Sequence, residues 1–386
     1  MRTVLIVFTD PHLAYSPSTL NLFYRLKKEG VYTLLLSEPP NNKYSSRRIN
    51  DPGIVYVKEN ETFYTRAITI LQKIAWRITR NNMFLKTQRA KNYIKAIKRN
   101  QSDIVIAVDV FALWCVQQTG IKAHFLSLEL PEKGIDYMAF GYFKNINLNN
   151  ILSVITQSHT RYEYLFAGMD IPMFILPNSP SYVQFKPNIK ARDKHNLVYC
   201  GSAVINFGIL SILDFLKKYE EYTLTIIGGI PSGVMAKIKN HYNHLIVSKR
   251  LIIDNKYYDT DSLARHLSAF WCGFVFYDIY NFSSMRKFNY YSAPSGKVFQ
   301  YFNAGIPIIG NRLQAFSMIE TNKAGVLIDN LNPSEIKRAL DIIESDYKNM
   351  ANNSKMLSLK YDNAKYLNKI INYIYYRCIP SNVDIN

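Results

Sequence analysis

A chain of 386 residues with 48% apolar side chains is too long for one ordinary core and too apolar for a disordered polymer; it fits two domains of about 180 to 200 residues. No apolar run approaches the roughly 18 to 20 residues of a membrane span, and Cys115, Cys200, Cys272 and Cys378 lack the spacing of a zinc site or a disulfide framework. A formal charge of +18 with a pI near 9.5 calls for an anionic partner: nucleic acid, an anionic lipid surface or a phosphorylated substrate.

The opening segment TVLIVFT is a continuous apolar run followed by Asp10, Pro11 and His12, with Ser18 placed to cap the helix TLNLFYRLKKEG. YTLLLSE is the next strand and IVYV, residues 54–57, a short third. Strand, helix, strand with unbroken apolar strands predicts a parallel sheet covered on both faces. MRTVLIVFTD lacks the length and the small-residue cleavage site of a signal peptide, so the expected compartment is the cytoplasm.

Residues 62–99 read as helical and basic, with Lys and Arg from Arg66 to Arg99 and no acid among them. Interleaved Ile70, Ile74, Trp76, Phe84 and Leu85 make the stretch amphipathic, which suits either helices packed on the sheet or a surface for anionic lipid headgroups.

DIVIAVD, residues 103–109, is a fourth strand ending in an acid, followed by a helix through Gln118 and the strand KAHFLSLEL ending near Glu129. ILSVITQS, the helix TRYEYLFAG and MFILPNSP close the first half. The absence of GxGxxG disfavours a conventional dinucleotide site. Residues 181–194 are polar and read as a linker.

The second half repeats the alternation: strand NLVYCGS, helix NFGILSILDFLKKYEE, strand YTLTIIGG, helix SGVMAKIKNHYNH, strand LIVSKRLI, helix SLARHLSAF and strand GFVFYD. AGVLID and a helical region over residues 332–377 end the chain. The predicted class is α/β, with two Rossmann-like doubly wound domains facing across a cleft lined by strand carboxyl ends.

The most informative stretch runs from Asn289 to Asn311, NYYSAPSGKVFQYFNAGIPIIGN. Pro294 suits a first helical turn that Ser292 or Ser295 can cap; Gly305 suits the helix end, Pro307 stops continuation, and IPIIG follows as a buried strand. Lys297 in the first turn adds an ammonium to the helix-start N–H groups, a combination suited to a phosphate or diphosphate.

The pattern A-P-S-x-K-x-F-x-Y-x-x-A-G-x-P-I-I resembles the donor-binding loop and helix of GT-B glycosyltransferases, the family 4-like enzymes of bacterial surface polysaccharide synthesis. ITQSHTR, LPNSP, VYCGS and TIIGG fall in the same order, so the resemblance covers most of the second half and, more loosely, the first. It implies a GT-B fold with residues 1–180 as acceptor domain, 195–360 as nucleotide-sugar domain, and a terminal helix in 361–386 packing back on the first domain. It further implies transfer from a nucleotide-diphosphate sugar to a glycan or polyprenyl-linked acceptor, with no cofactor and no metal, and an anionic membrane surface as a further partner. Donor-side positions are then Gly201, Ser202, Arg286, Lys287, Asn289, Ser292, Ser295, Gly296, Lys297 and Gln300.

Two departures from the resemblance matter. Gln300 and Ser292 stand where the family has acids, so a sugar hydroxyl would meet a neutral acceptor. The cations usual after the first strand of the second domain are missing, which leaves Arg286, Lys287 and Lys297 to face the diphosphate. Tyr290 and Tyr291, with Asn289, are expected to line the sugar pocket. On the acceptor side the strand-end groups Asp10, His12, Asp109 and Glu129 are the candidate bases, Asp10 and Asp109 foremost. DTD at residues 259–261 is the nearest thing to a metal motif, but Asp261 reads as a helix cap. A nucleic-acid-binding protein is the rival class, yet no RNP-like, zinc-finger or helix-turn-helix signature accompanies the charge. Gln300 and the missing cations also leave room for a GT-B sugar epimerase or a degenerate homologue.

Overall fold

Side chains that are apolar at every position of a strand need cover on both faces of the sheet, and β1 (Thr3–Phe8) has it, being buried along nearly its whole length. The computed structural model describes residues 2–40, 48–57, 87–131, 137–256, 258–277 and 287–376, with the helical positions 67, 68, 70–72, 74, 75 and 78. Among these residues β1 is joined by β2 (Tyr32–Ser37), β3 (Ile54–Tyr56), β4 (Ile104–Val108), β5 (Ala123–Ser127), β6 (Ile151–Thr156) and β7 (Met173–Ile175). All pairings are parallel and the order is β3-β2-β1-β4-β5-β6-β7. A second parallel sheet holds β8 (Asn196–Cys200), β9 (Thr223–Ile227), β10 (Leu251–Asp254), β11 (Cys272–Val275), β12 (Ile308–Asn311) and β13 (Gly325–Ile328). Its order is β10-β9-β8-β11-β12-β13, so the direction of winding reverses beside β8, as it does beside β1 in the first sheet. Open α/β sheets bind ligands at the strand carboxyl ends next to such a reversal.

The chain divides into two compact units, residues 1–177 with 365–386, and residues 178–364. Each sheet carries a hydrophobic cluster on either face. In the first unit one face packs on the helices Gln88–Arg99, Asp109–Gln117 and Tyr137–Lys144. The other is covered partly by the helix Pro17–Lys28 and partly by Leu367, Ile370, Ile371 and Ile374 from the helical stretches Asn363–Ile371 and Asn372–Tyr376. Each fully buried Leu, Ile or Phe of these clusters contributes about 1.5–3 kcal/mol. The segment 181–194, read as a linker from its polarity, packs into the second unit. Asn303 holds Ser181 and Val183, while Arg192 donates to Ser268 O, Gly305 O and the Tyr347 hydroxyl.

Several local expectations change. Pro17 opens the first helix and Ser16 stands at its cap position, so Ser18 lies inside the first turn. Asp259, and not Asp261, caps the helix Thr260–Leu267 by accepting from Ser262 N at 2.8 Å; Asp261 pairs with Arg265 one turn on. LIVSKRLI is not one strand: Asn243–Val247 is a short helix, Lys249 turns the chain with φ of 59°, and only Leu251–Asp254 pairs with the sheet. Burial of Leu245 against the core outweighs the β-propensity of the apolar run. Among the described residues no helix is long and apolar enough to cross a membrane.

Candidate active site

The second unit's site is built where β8 and β11 part. Their pairing covers Leu197 with Cys272 and Val198 with Gly273; beyond that point the hydroxyl of Tyr301 accepts from Cys200 N at 2.8 Å and donates to Phe274 O at 3.1 Å. Tyr301 sits on the helix Gly296–Ala304, so this wedge fixes the helix start against the end of β8. A Cβ on Gly273 would lie 2.7 Å from the Tyr301 ring, which is why that strand position holds glycine.

The turn chemistry follows from the same placement. Ser295 is the cap, its Oγ accepting from Lys297 N at 3.4 Å, and Gly305 closes the helix in the left-handed region. Pro294 precedes the cap and is not in the first turn. Ser292 ends a separate short helix, Lys287–Ser292, where its hydroxyl donates to Phe288 O.

Lys297 lies in that first turn and folds back over the end of β8. Gly201 has φ of 111°, and a Cβ there would stand 2.9 Å from Lys297 Cε. The ammonium lies 4.5 Å from the Phe207 ring centre and 5.3 Å from that of Tyr199, a cation–π seat. Burial pushes the Lys297 pKa down to about 8, with the neighbouring Cys200 thiol a weaker opposing influence and no carboxylate among the described residues acting on it. One turn on, Gln300 holds a buried carbonyl oxygen, Oε1, that meets no donor among the described residues. Residues three apart share a helix face, so Gln300 springs from the same side of the helix as Lys297. Ser202 follows Gly201 with its side chain exposed, its carbonyl accepting from the Tyr199 hydroxyl. Tyr290 packs with Phe207 and Tyr277, Tyr291 is exposed, and Asn289 is buried. Arg286 lies outside the described residues, as does the side chain of Lys287.

In the first unit the candidate bases fall into two groups. Asp10 Oδ1 accepts from His12 N and lies 2.7 Å from His12 Nδ1, an exposed carboxylate–imidazole pair at the end of β1. Asp109 follows β4 with φ of 64°, a left-handed backbone uncommon outside glycine. Its Oδ1 accepts from Leu128 N at 2.7 Å and Glu129 N at 2.8 Å. Burial raises the Asp109 carboxyl to about 7; the Glu129 carboxylate adds to the rise, while the two N–H groups and Arg161 oppose it. Glu129 itself is exposed.

Sequence reasoning missed Tyr199, Phe207, Tyr301 and Arg161 as parts of these sites. The signal for Tyr301 was the tyrosine one turn after Lys297, and for Arg161 an arginine in the first turn after a buried strand, capped by Ser158. The aromatic seat of Lys297 leaves no sequence signal, because it depends on how the turn after β8 folds.

With this geometry in hand, the comparisons show what the chain is similar to. Residues 212–374 match the family model described as glucosyltransferase 3-like, C-terminal domain. No curated protein sequence matches the chain. Solved structures align over nearly its whole length. HepE of Anabaena in complex with UDP and glucose has 11% identity, 97% of this chain and 100% of the other covered, and a TM-score of 0.69. The pneumococcal O-GlcNAc transferase GtfA in complex with UDP and GlcNAc has 11% identity, 97% and 99% covered, and a TM-score of 0.66. A glycosyltransferase of Rickettsia africae has 13% identity, 99% of each chain covered, and a TM-score of 0.63. The chain has the GT-B fold of these structures, and its residues 212–374 are similar to a glucosyltransferase 3-like C-terminal domain. The narrower family 4-like assignment is carried by the 293–309 motif alone.

Proposed function

We propose that the protein moves a sugar from a nucleoside-diphosphate sugar to a hydroxyl of a glycan or lipid-linked glycan, in surface polysaccharide synthesis and without a metal ion. One observation carries this reading: a desolvated ammonium, Lys297, is held over the Gly201 backbone at the reversal point of the second sheet, beside a helix start and with no carboxylate opposite it among the described residues. In the reaction the C1–oxygen bond to the diphosphate breaks and its electron pair leaves with the diphosphate. Lys297 and the helix-start N–H groups stabilise that growing negative charge, which a preorganised site does without reorganising. Gln300 Oε1 accepts from a donor hydroxyl. UDP is the nucleotide to try first, because the HepE and GtfA structures hold it.

The first unit supplies the acceptor side through its strand-end groups. An anionic membrane face suits it as a working surface: the helix Gln88–Arg99 exposes Lys91, Lys95, Lys98 and Arg99, and Ile70, Leu71, Ile74 and Ile78 are exposed in helical spacing. Arg89 is not part of that charged face, since it pairs with Glu38 at 2.5 Å and donates to Thr9 O.

Thermal unfolding with UDP, GDP, ADP and dTDP tests the reading. A diphosphate at about 100 times its Kd adds about 2.7 kcal/mol of stability. No shift with any of the four removes the transferase assignment.

A further inference from the structure

Resting on the transferase reading, we infer that Phe207 is a positioning residue of the transfer: its ring holds the Lys297 ammonium in the place where the diphosphate arrives. The turn after β8, GSAVINFG, carries no cation of its own. What it brings to the site is this ring. Lys297 Nζ lies 4.5 Å from the Phe207 ring centre and 5.3 Å from that of Tyr199. The attraction of a cation to a ring face weakens with separation, so Phe207 is the stronger partner.

The ring is fixed from behind. Phe207 N donates to Val204 O and Gly208 N to Ile205 O, each at 3.0 Å, in a tight turn closed by Gly208 with φ of 69°. A Cβ on Gly208 would stand 2.8 Å from Phe276 Cβ, so the turn is pressed onto the residues that follow β11 and only glycine fits. Tyr277 and Tyr290 pack on the ring at 5.1 and 5.9 Å between centres. The Tyr199 ring is held as well, its hydroxyl donating to Ser202 O at 2.9 Å. On the other side the lysine stem crosses Gly201, whose N–H donates to Ile227 O at 2.7 Å. Stem and tip are thus confined by parts that are themselves anchored, while Lys297 and Phe207 are each only half-buried and a ligand can reach them.

A free lysine side chain samples many rotamers, and an anion that had to order it would bind more weakly. The ring also offsets part of the desolvation that lowers Lys297 to about 8, so more of the protein carries the charge that a diphosphate needs. Titratable neighbours give little help. Burial pushes the Cys200 thiol up to about 11 and the Tyr199 phenol well above its usual value, so both are neutral, and no carboxylate among the described residues acts on the ammonium.

The charge distribution of the ring can be changed without changing its shape, by placing trifluoro- or pentafluorophenylalanine at position 207 through nonsense suppression. Fluorine drains the ring face, so Lys297 is expected to titrate lower by about one unit, as read by side-chain carbon NMR with Lys297→Met identifying the signal. Phe207→Trp, which offers the strongest face, is expected to keep the wild-type titration or raise it. UDP affinity is the second readout: Phe207→Leu should weaken it about tenfold in the wild-type background and less than about twofold in Lys297→Met. If Phe207→Leu does not fold, the fluorinated rings decide. A Lys297 titration indifferent to fluorination, or an equal loss of UDP affinity with and without Lys297, overturns the assignment. A wild type that binds no UDP sinks the transferase reading instead, and the titration still decides what the ring does.

Discussion

Both units use burial to move an ionisable group toward neutral pH, but from opposite sides. Asp109 is raised to about 7 and Lys297 lowered to about 8, in each case because desolvation disfavours the charged form. They differ in what opposes that cost. Asp109 has two backbone N–H groups and the charge of Arg161, whereas Lys297 has two aromatic rings and a neutral thiol. A group with built-in support can exchange a proton during reaction. One without it is set to gain most from an arriving anion.

Three substitutions break or sharpen this contrast. Lys297→Met should have the largest effect, a fall in kcat/KM with UDP-glucose of about 10²–10³-fold, the scale for losing one charge-stabilising donor. Thermal unfolding at pH 7 should show it equal to or more stable than wild type, since a desolvated cation has been removed without leaving a cavity. Gly201→Ala comes next: it forces a side chain into a left-handed position and against Lys297 Cε, costing about 1–3 kcal/mol, readable by urea unfolding, and weakening UDP binding by displacing the ammonium. Tyr301→Phe is smaller. It leaves Cys200 N without its acceptor, at about 1–2 kcal/mol in thermal unfolding, and affects donor binding only as the helix start loosens.

Much of this was legible in the sequence, for local reasons. Continuous apolar strands announced both sheets, and Ser295, Gly305 and Pro307 marked the helix and the strand after it through turn chemistry alone. Asp10, His12, Asp109 and Lys297 could be placed in the fold from sequence because they follow buried strands or open a helix. What stayed hidden depends on contacts between distant segments. Tyr301 reaches Cys200 across 101 positions and Arg161 reaches Leu128 across 33, and no periodicity reports such pairs. Asp261 was misread because two acids flank the helix start and only geometry tells the cap from the first turn.

UDP binding measured by calorimetry from pH 6.5 to 9.5, in wild type and Lys297→Met, tests the anion seat most directly. The folded, ligand-free protein begins to lose the Lys297 proton near pH 8, below the 10.5 of a free lysine, and a bound diphosphate should hold that proton to higher pH. Wild-type affinity should therefore be steady below pH 8 and fall above it, toward tenfold per unit, with Lys297→Met weak and flat throughout. Equal affinity in the two proteins at pH 7, or a wild-type affinity indifferent to pH through 9.5, would contradict the account.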